Sequence, residues 1–189
     1  MSSQQLELER RTPFLSARQV AVTAIFGGIA FAFEALNLSI PGYMPGVNFN
    51  VFGTWLTLAT MIGGPWVGVI VSVIDALAGQ VGIIGAPGYA IHALLFALMY
   101  KKVYGMKKGA GQVAALWASS MVALVAQYWY WIFLYAYIFK LMPVGAQIVF
   151  HASGPLWIYW VIYSLVPSIV LSTAPKFVSP DWNWTPGKK

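Results

Sequence analysis

Between Arg18 and Lys101 the chain carries only two charged side chains, Glu34 and Asp75, and from Gly109 to Phe139 it carries none. A water-soluble domain has about a quarter of its residues charged. Runs this long without charge therefore face hydrocarbon rather than water. The whole chain agrees, with 8% charged and 59% hydrophobic residues. A helix needs roughly 20 apolar residues to cross about 30 Å of hydrocarbon, and the 189 residues leave no room for a second folded domain beside several such helices. The expectation is an all-α membrane protein.

Six segments fit: residues 17–38, 49–62, 65–84, 88–103, 113–139 and 154–173. The second is the shortest, and only Gly63-Gly64-Pro65 separates it from the third, a compact turn. Pro167 is expected to kink the sixth near its end. Basic residues set the orientation. With six spans Arg10, Arg11, Arg18, Lys101, Lys102, Lys107, Lys108, Lys176, Lys188 and Lys189 share one side, and only Lys140 falls on the other. The positive-inside rule makes that side cytoplasmic, with both termini inside; five spans would split the clusters. The net charge of +6 is thus a topology signal rather than a nucleic-acid footprint. No cleavable signal peptide is expected, because the first apolar run leads into further spans. The domain plan is a cytoplasmic N-terminal segment (1–16), a six-helix membrane domain (17–174) and an irregular cytoplasmic tail (175–189). Residues 37–48, 80–87 and 140–153 then lie outside; the first, rich in Pro, Gly, Tyr and Asn, is long enough to fold back over the helices.

Ionisable groups inside a membrane cost several kcal/mol unless paired or facing a cavity. Glu34, Asp75, His92 and His151 all fall toward the outer half and are positioned to converge on one pocket. Each has a plainer reading. Glu34 lies within a turn of the interface, Asp75 can bond a neighbouring helix, His92 can pack, and His151 can be solvated. The fifth segment places Gln127, Trp131 and Tyr135 on one helical face at i, i+4 and i+8, suited to stacking a flat ring and bonding its edge; the plainer reading is an interfacial aromatic belt. Ala17, Ala21, Ala24, Gly28 and Ala32 form a small-residue stripe on the first segment. Such stripes let helices approach closely, either within the chain or against a separate membrane subunit.

Other chemistry is absent from the sequence. Cysteine is missing, so thiolate metal sites and cysteine nucleophiles are excluded. There is no phosphate-binding loop, no His-Glu-x-x-His and no Gly-x-Ser-x-Gly, and Asp75 has no second intramembrane aspartate. Ser153 beside His151 is poor evidence for a nucleophile and base. No inverted repeat of spans is visible. Neither an enzyme nor a bound cofactor or metal is expected.

The pattern resembles the substrate-binding S component of energy-coupling factor (ECF) vitamin transporters. The resemblance rests on size with six spans, on the opening Ala17-Arg18-Gln19-Val20-Ala21-Val22-Thr23-Ala24, on the hairpin from Gly63-Gly64-Pro65 to Asp75-Ala76-Leu77-Ala78-Gly79, and on a fourth segment ending Tyr100-Lys101-Lys102. It covers residues 17–174. It implies an ECF S-component-like bundle in a prokaryotic plasma membrane and an outward pocket that takes a small, aromatic, water-soluble vitamin or precursor. It also implies a T subunit docked on the alanine stripe and two ATPase subunits. Pocket positions implied are Asn37, Tyr43, Asn48 and Asn50 in the first outer loop, His92, the Gln127–Trp131 face, and Trp157 or Tyr159. A cationic or amine-bearing ring suits Glu34, Asp75 and aromatic walls, so thiamine or its pyrimidine precursor is the first ligand considered. The N-terminal Met-His pair of the nickel and cobalt branch is missing. The alternative is a self-sufficient, proton-coupled secondary transporter or channel using Glu34 and Asp75.

Overall fold

The computed structural model describes residues 14–41, 48–79 and 82–182. The first helix, α1, spans Ala17–Ala35 and begins with a reciprocal capping box: the Ser16 hydroxyl accepts from the Gln19 N–H, and the Gln19 side chain accepts from the Ser16 N–H. Two short strands follow, β1 (Ser39–Pro41) and β2 (Asn48–Asn50), paired antiparallel with Ile40 opposite Phe49. Then come α2 (Phe52–Gly63) and α3 (Pro65–Ala78), a 3₁₀ turn (Gly82–Gly85), α4 (Ala86–Tyr104) and α5 (Ala110–Phe133). Helix α5 runs on through one π turn, Leu134–Ile138, before α6 (Val144–Ser153) and α7 (Pro155–Thr173).

Among the described residues, four helical stretches are long and apolar enough to cross a membrane: Ala17–Ala35, Gly82–Tyr104, Ala110–Ile138 and Pro155–Thr173. The other two expected spans are shorter. Helices α2 and α3 have 12 and 14 residues, about 18 and 21 Å of helix at 1.5 Å per residue. The third segment was expected to reach residue 84 and stops at Ala78. Gly79 leaves the helix with ψ 149° after its N–H closes on the Asp75 carbonyl, and Gly82 sits at φ +67°, a region that L side chains rarely adopt. Residues 140–153, expected as a connector, contain helix α6, which Pro143 precedes and Gly154 ends. Pro167 does lie inside α7.

Between lipid-embedded helices close packing replaces the hydrophobic driving force, and small residues provide it. A Cβ on Gly27 of α1 would lie 2.7 Å from Ile74 of α3, and one on Gly68 of α3 2.6 Å from Ala93 of α4. One on Gly53 of α2 would enter the Tyr163 ring of α7. Around these contacts Phe52, Leu56, Met61, Val71, Phe96 and Leu116 form a fully enclosed core. Buried threonine and serine hydroxyls bond back to their own helices, as Thr60 does to Leu56 and Ser72 to Gly68, both at 2.8 Å.

The α2–α3 turn lies at one end of the bundle, where residues 174–182 fold back against it. The Trp182 indole N–H donates to the Met61 carbonyl at 3.1 Å, and the Tyr100 hydroxyl to the Val178 carbonyl at 2.7 Å. Arg18 bonds Asp181 and the Phe177 carbonyl, the Gln19 amide bonds the Gly63 carbonyl, and Lys101 stands over the Trp182 ring. Residues 174–182, the described part of the tail, are non-helical and docked: Val178 and Trp182 are buried.

Candidate functional site

The opposite end of the bundle holds a cavity of about 690 Å³, within the range of roughly 300–1,000 Å³ usual for small-molecule sites. Helix length explains its position. The short α3 ends there, contributing Asp75, Ala76 and Gly79 from its last turn. The longer helices continue past it as walls: Phe33 and Glu34 from α1, Gln127 to Tyr135 from α5, and Tyr159 and Tyr163 from α7. Tyr89 of α4, Asn37 before the strand pair, Asn50 at the end of β2, and Gln147, Phe150 and His151 of α6 also line it.

Eight of the side chains singled out in the sequence meet here: Glu34, Asn37, Asn50, Asp75, Gln127, Trp131, Tyr135 and His151. On α5 the i, i+4, i+8 face is real, with the Trp131 and Tyr135 rings stacked at 5.7 Å and 26°. Two residues fall elsewhere. His92 is fully buried behind the wall, stacked on Phe96 and edge-on to Tyr163, whose centroid is 5.2 Å away. Its Nε2 lies 3.5 Å from the Thr57 hydroxyl, the contact of a packed histidine. Trp157 is exposed, and its indole N–H donates to the Ala152 carbonyl; Tyr159, two residues on and singled out beside it in the sequence, lines the cavity. Tyr43 lies outside the described residues, and of Asn48 only the backbone, in β2, is described.

Tyr89, Tyr163, Phe33 and Gln147 line the cavity without having been anticipated. Tyr89 shares its helical face with His92, three residues on, so the same face was noticed one turn too deep. It stands edge-on to both Trp131, at 5.6 Å, and Phe52, at 4.7 Å. Gln147, buried on α6, was hidden because its segment read as a loop.

Polar groups are distributed unevenly around the wall. The Asn50 N–H donates to the Tyr159 hydroxyl at 3.2 Å, and the Asn50 carboxamide oxygen accepts from the Phe52 N–H at 2.6 Å, fixing the strand pair over the start of α2. Asp75 Oδ1, Gln127 Oε1 and both His151 ring nitrogens have no hydrogen-bond partner among protein atoms. Asp75 is 2% exposed and Gln127 4%. Glu34 and Asp75 line the same cavity. Among the described residues, no lysine or arginine lines the cavity. His151 packs its ring on Tyr128 at 4.5 Å, and burial pushes its pKa down to about 4, which leaves it neutral near pH 7. The arrangement is an aromatic-walled chamber that holds two carboxylates and, among the described residues, no lysine or arginine.

The small-residue stripe lies elsewhere. Ala17, Ala21, Ala24, Gly28 and Ala32 are all exposed, a Cβ on Gly28 would meet nothing within 4 Å, and α1 packs inward through Val22, Gly27 and Ala30 instead.

No protein family, curated protein or solved structure matches the chain.

Proposed function

We propose that this chain is the substrate-capture subunit of an ECF-type importer, a non-catalytic six-span protein of a prokaryotic plasma membrane. In this reading α2 and α3 count as short spans, the tail and the α2–α3 turn face the cytoplasm, and the cavity faces outward. The observation that carries the proposal is the cavity itself, an aromatic-walled chamber of ligand size at one end of an apolar bundle whose other end is closed. Charge supports the orientation: among the described residues Arg18, Lys101, Lys102, Lys107, Lys108 and Lys176 belong to the closed end, and Lys140 alone to the cavity end.

The ligand proposed is a small, aromatic, water-soluble vitamin or precursor, with thiamine or its pyrimidine precursor first. The strand pair serves as a lid; the loop between its strands, residues 42–47, lies outside the described residues. The exposed stripe on α1 is the docking face for a T subunit, which with two ATPases supplies the energy that this chain has no loop to obtain.

Chain purified from its own host is expected to carry a vitamin detectable by mass spectrometry, or to bind one of a vitamin panel at nanomolar affinity. Failure across the panel sinks the proposal. Vitamin uptake into proteoliposomes containing this chain alone replaces it with the secondary-transporter reading.

A further inference from the structure

Resting on that reading of the cavity, the chemistry of its lining goes further, to the kind of molecule it accepts. A site that receives a carboxylate or phosphate presents donors, most often arginine, lysine or a fan of backbone N–H groups. This cavity presents the reverse. Its two ionisable oxygen ligands are Glu34 and Asp75, and no lysine or arginine lines it among the described residues. Two of its buried polar atoms are unmatched acceptors. Asp75 Oδ1 and Gln127 Oε1 belong to side chains more than nine-tenths buried, line the same chamber, and lack a protein partner. Buried polar atoms are almost always hydrogen-bonded, and the chain has the means to satisfy them, as its closed end demonstrates. Unmatched buried polar atoms also occur away from the chamber, on Trp55, His92, Ser120 and Ser164; the Asp75 and Gln127 oxygens are unmatched and line it, and so mark where a ligand's donors go.

The flanking groups narrow the choice. Tyr89, Trp131, Tyr135 and Tyr163 give π faces and edges around these acceptors, which favour a flat cation over a neutral or anionic ring. A metal ion is a poor fit, since among the described residues no three His, Cys, Asp or Glu side chains gather closely enough to hold one.

We propose that the cavity selects a planar organic cation with a fork of N–H donors, of amidinium or protonated amino-heteroaromatic type, with Asp75 as counter-charge and Gln127 Oε1 as second acceptor. Glu34, nearer the rim, attracts the cation on entry. Anionic ligands are disfavoured, because they would meet two carboxylates and, among the described residues, no lysine or arginine.

The test uses three isosteric probes on the full-length chain in detergent: benzamidinium, benzamide and benzoate, which share a ring and differ in charge. Binding is read by calorimetry and by shift of the melting temperature. Benzamidinium is expected to bind at least tenfold tighter than benzamide, with no binding of benzoate. Asp75→Asn is expected to abolish that preference while leaving the melting temperature unchanged or raised, since it removes a buried charge without changing shape. Equal or better binding of benzamide or benzoate, or no binding of benzamidinium, overturns the inference. So does a D75N chain that melts earlier yet still prefers the cation, which would make Asp75 structural. Should D75N fail to fold, the probe series on the unaltered chain decides alone. A neutral or anionic vitamin captured at nanomolar affinity would overturn this inference and leave the capture proposal standing; failure of the whole vitamin panel removes both.

Discussion

The two ends of the bundle are built from the same residue types and treat them oppositely. At the closed end inward-pointing polar groups meet partners: Trp182 on Met61, Tyr100 on Val178, Gln19 on Gly63, and the Gln112 amide on the carbonyls of Val103 and Tyr104. At the cavity end equally buried groups, Asp75 and Gln127, keep an oxygen without a protein partner. The aromatics divide likewise, since Trp182 plugs a gap whereas Trp131 and Tyr135 leave their faces along a chamber. The difference teaches where this chain invests in stability and where it keeps binding capacity. Satisfied groups rigidify; unmatched ones cost stability that a bound partner returns.

That contrast is open to attack by substitution. Trp182→Ala removes a buried indole and its hydrogen bond, and is expected to cost about 3–5 kcal/mol of stability with ligand affinity nearly unchanged. Thermal unfolding in detergent alongside calorimetry checks this; a large loss of affinity would mean that the two ends are not separable. Gly64→Ala follows, at about 1–3 kcal/mol, because Gly64 sits at φ +91° and a Cβ there lies 2.6 Å from the Trp182 ring. On the cavity side Gln127→Leu is expected to do the reverse, lowering affinity for the captured ligand about tenfold while stability holds or rises.

The smallest effect is one of pH. The folded chain holds His151 neutral down to about 4, whereas the unfolded chain protonates it near 6.5. The stability it contributes is therefore complete above pH 6.5 and lost as pH falls toward 4. A melting temperature that declines through this window, with a shallower decline in His151→Phe, is the expected record. An unchanged slope in the variant would assign the decline to other groups.

Much of this was legible in the sequence. The scarcity of charge decided helices in an apolar medium. The spacing of Gln127, Trp131 and Tyr135 predicted a shared face, and the isolation of Glu34 and Asp75 marked them as groups needing a reason. Each depends on composition or on a period of 3.6 residues, which are local properties. The errors have one cause as well. His92 and Trp157 were chosen by residue type at plausible depth, but whether a side chain lies behind a wall, on it or outside depends on how the helix is rotated against its neighbours. That rotation is set by partners distant in sequence, such as Gly53 receiving Tyr163 and Gly27 receiving Ile74.

The sequence by itself determined the apolar helices and the candidate chemistry, since burial cost and helical periodicity act residue by residue. Only the tertiary structure decided that α3 stops at Ala78 and that the longer helices pass beyond it as walls. It also decided that Asp75 and Gln127 share the resulting cavity while the alanine stripe faces outward. A cavity is the space left between helices of unequal length, and no single segment carries a record of it.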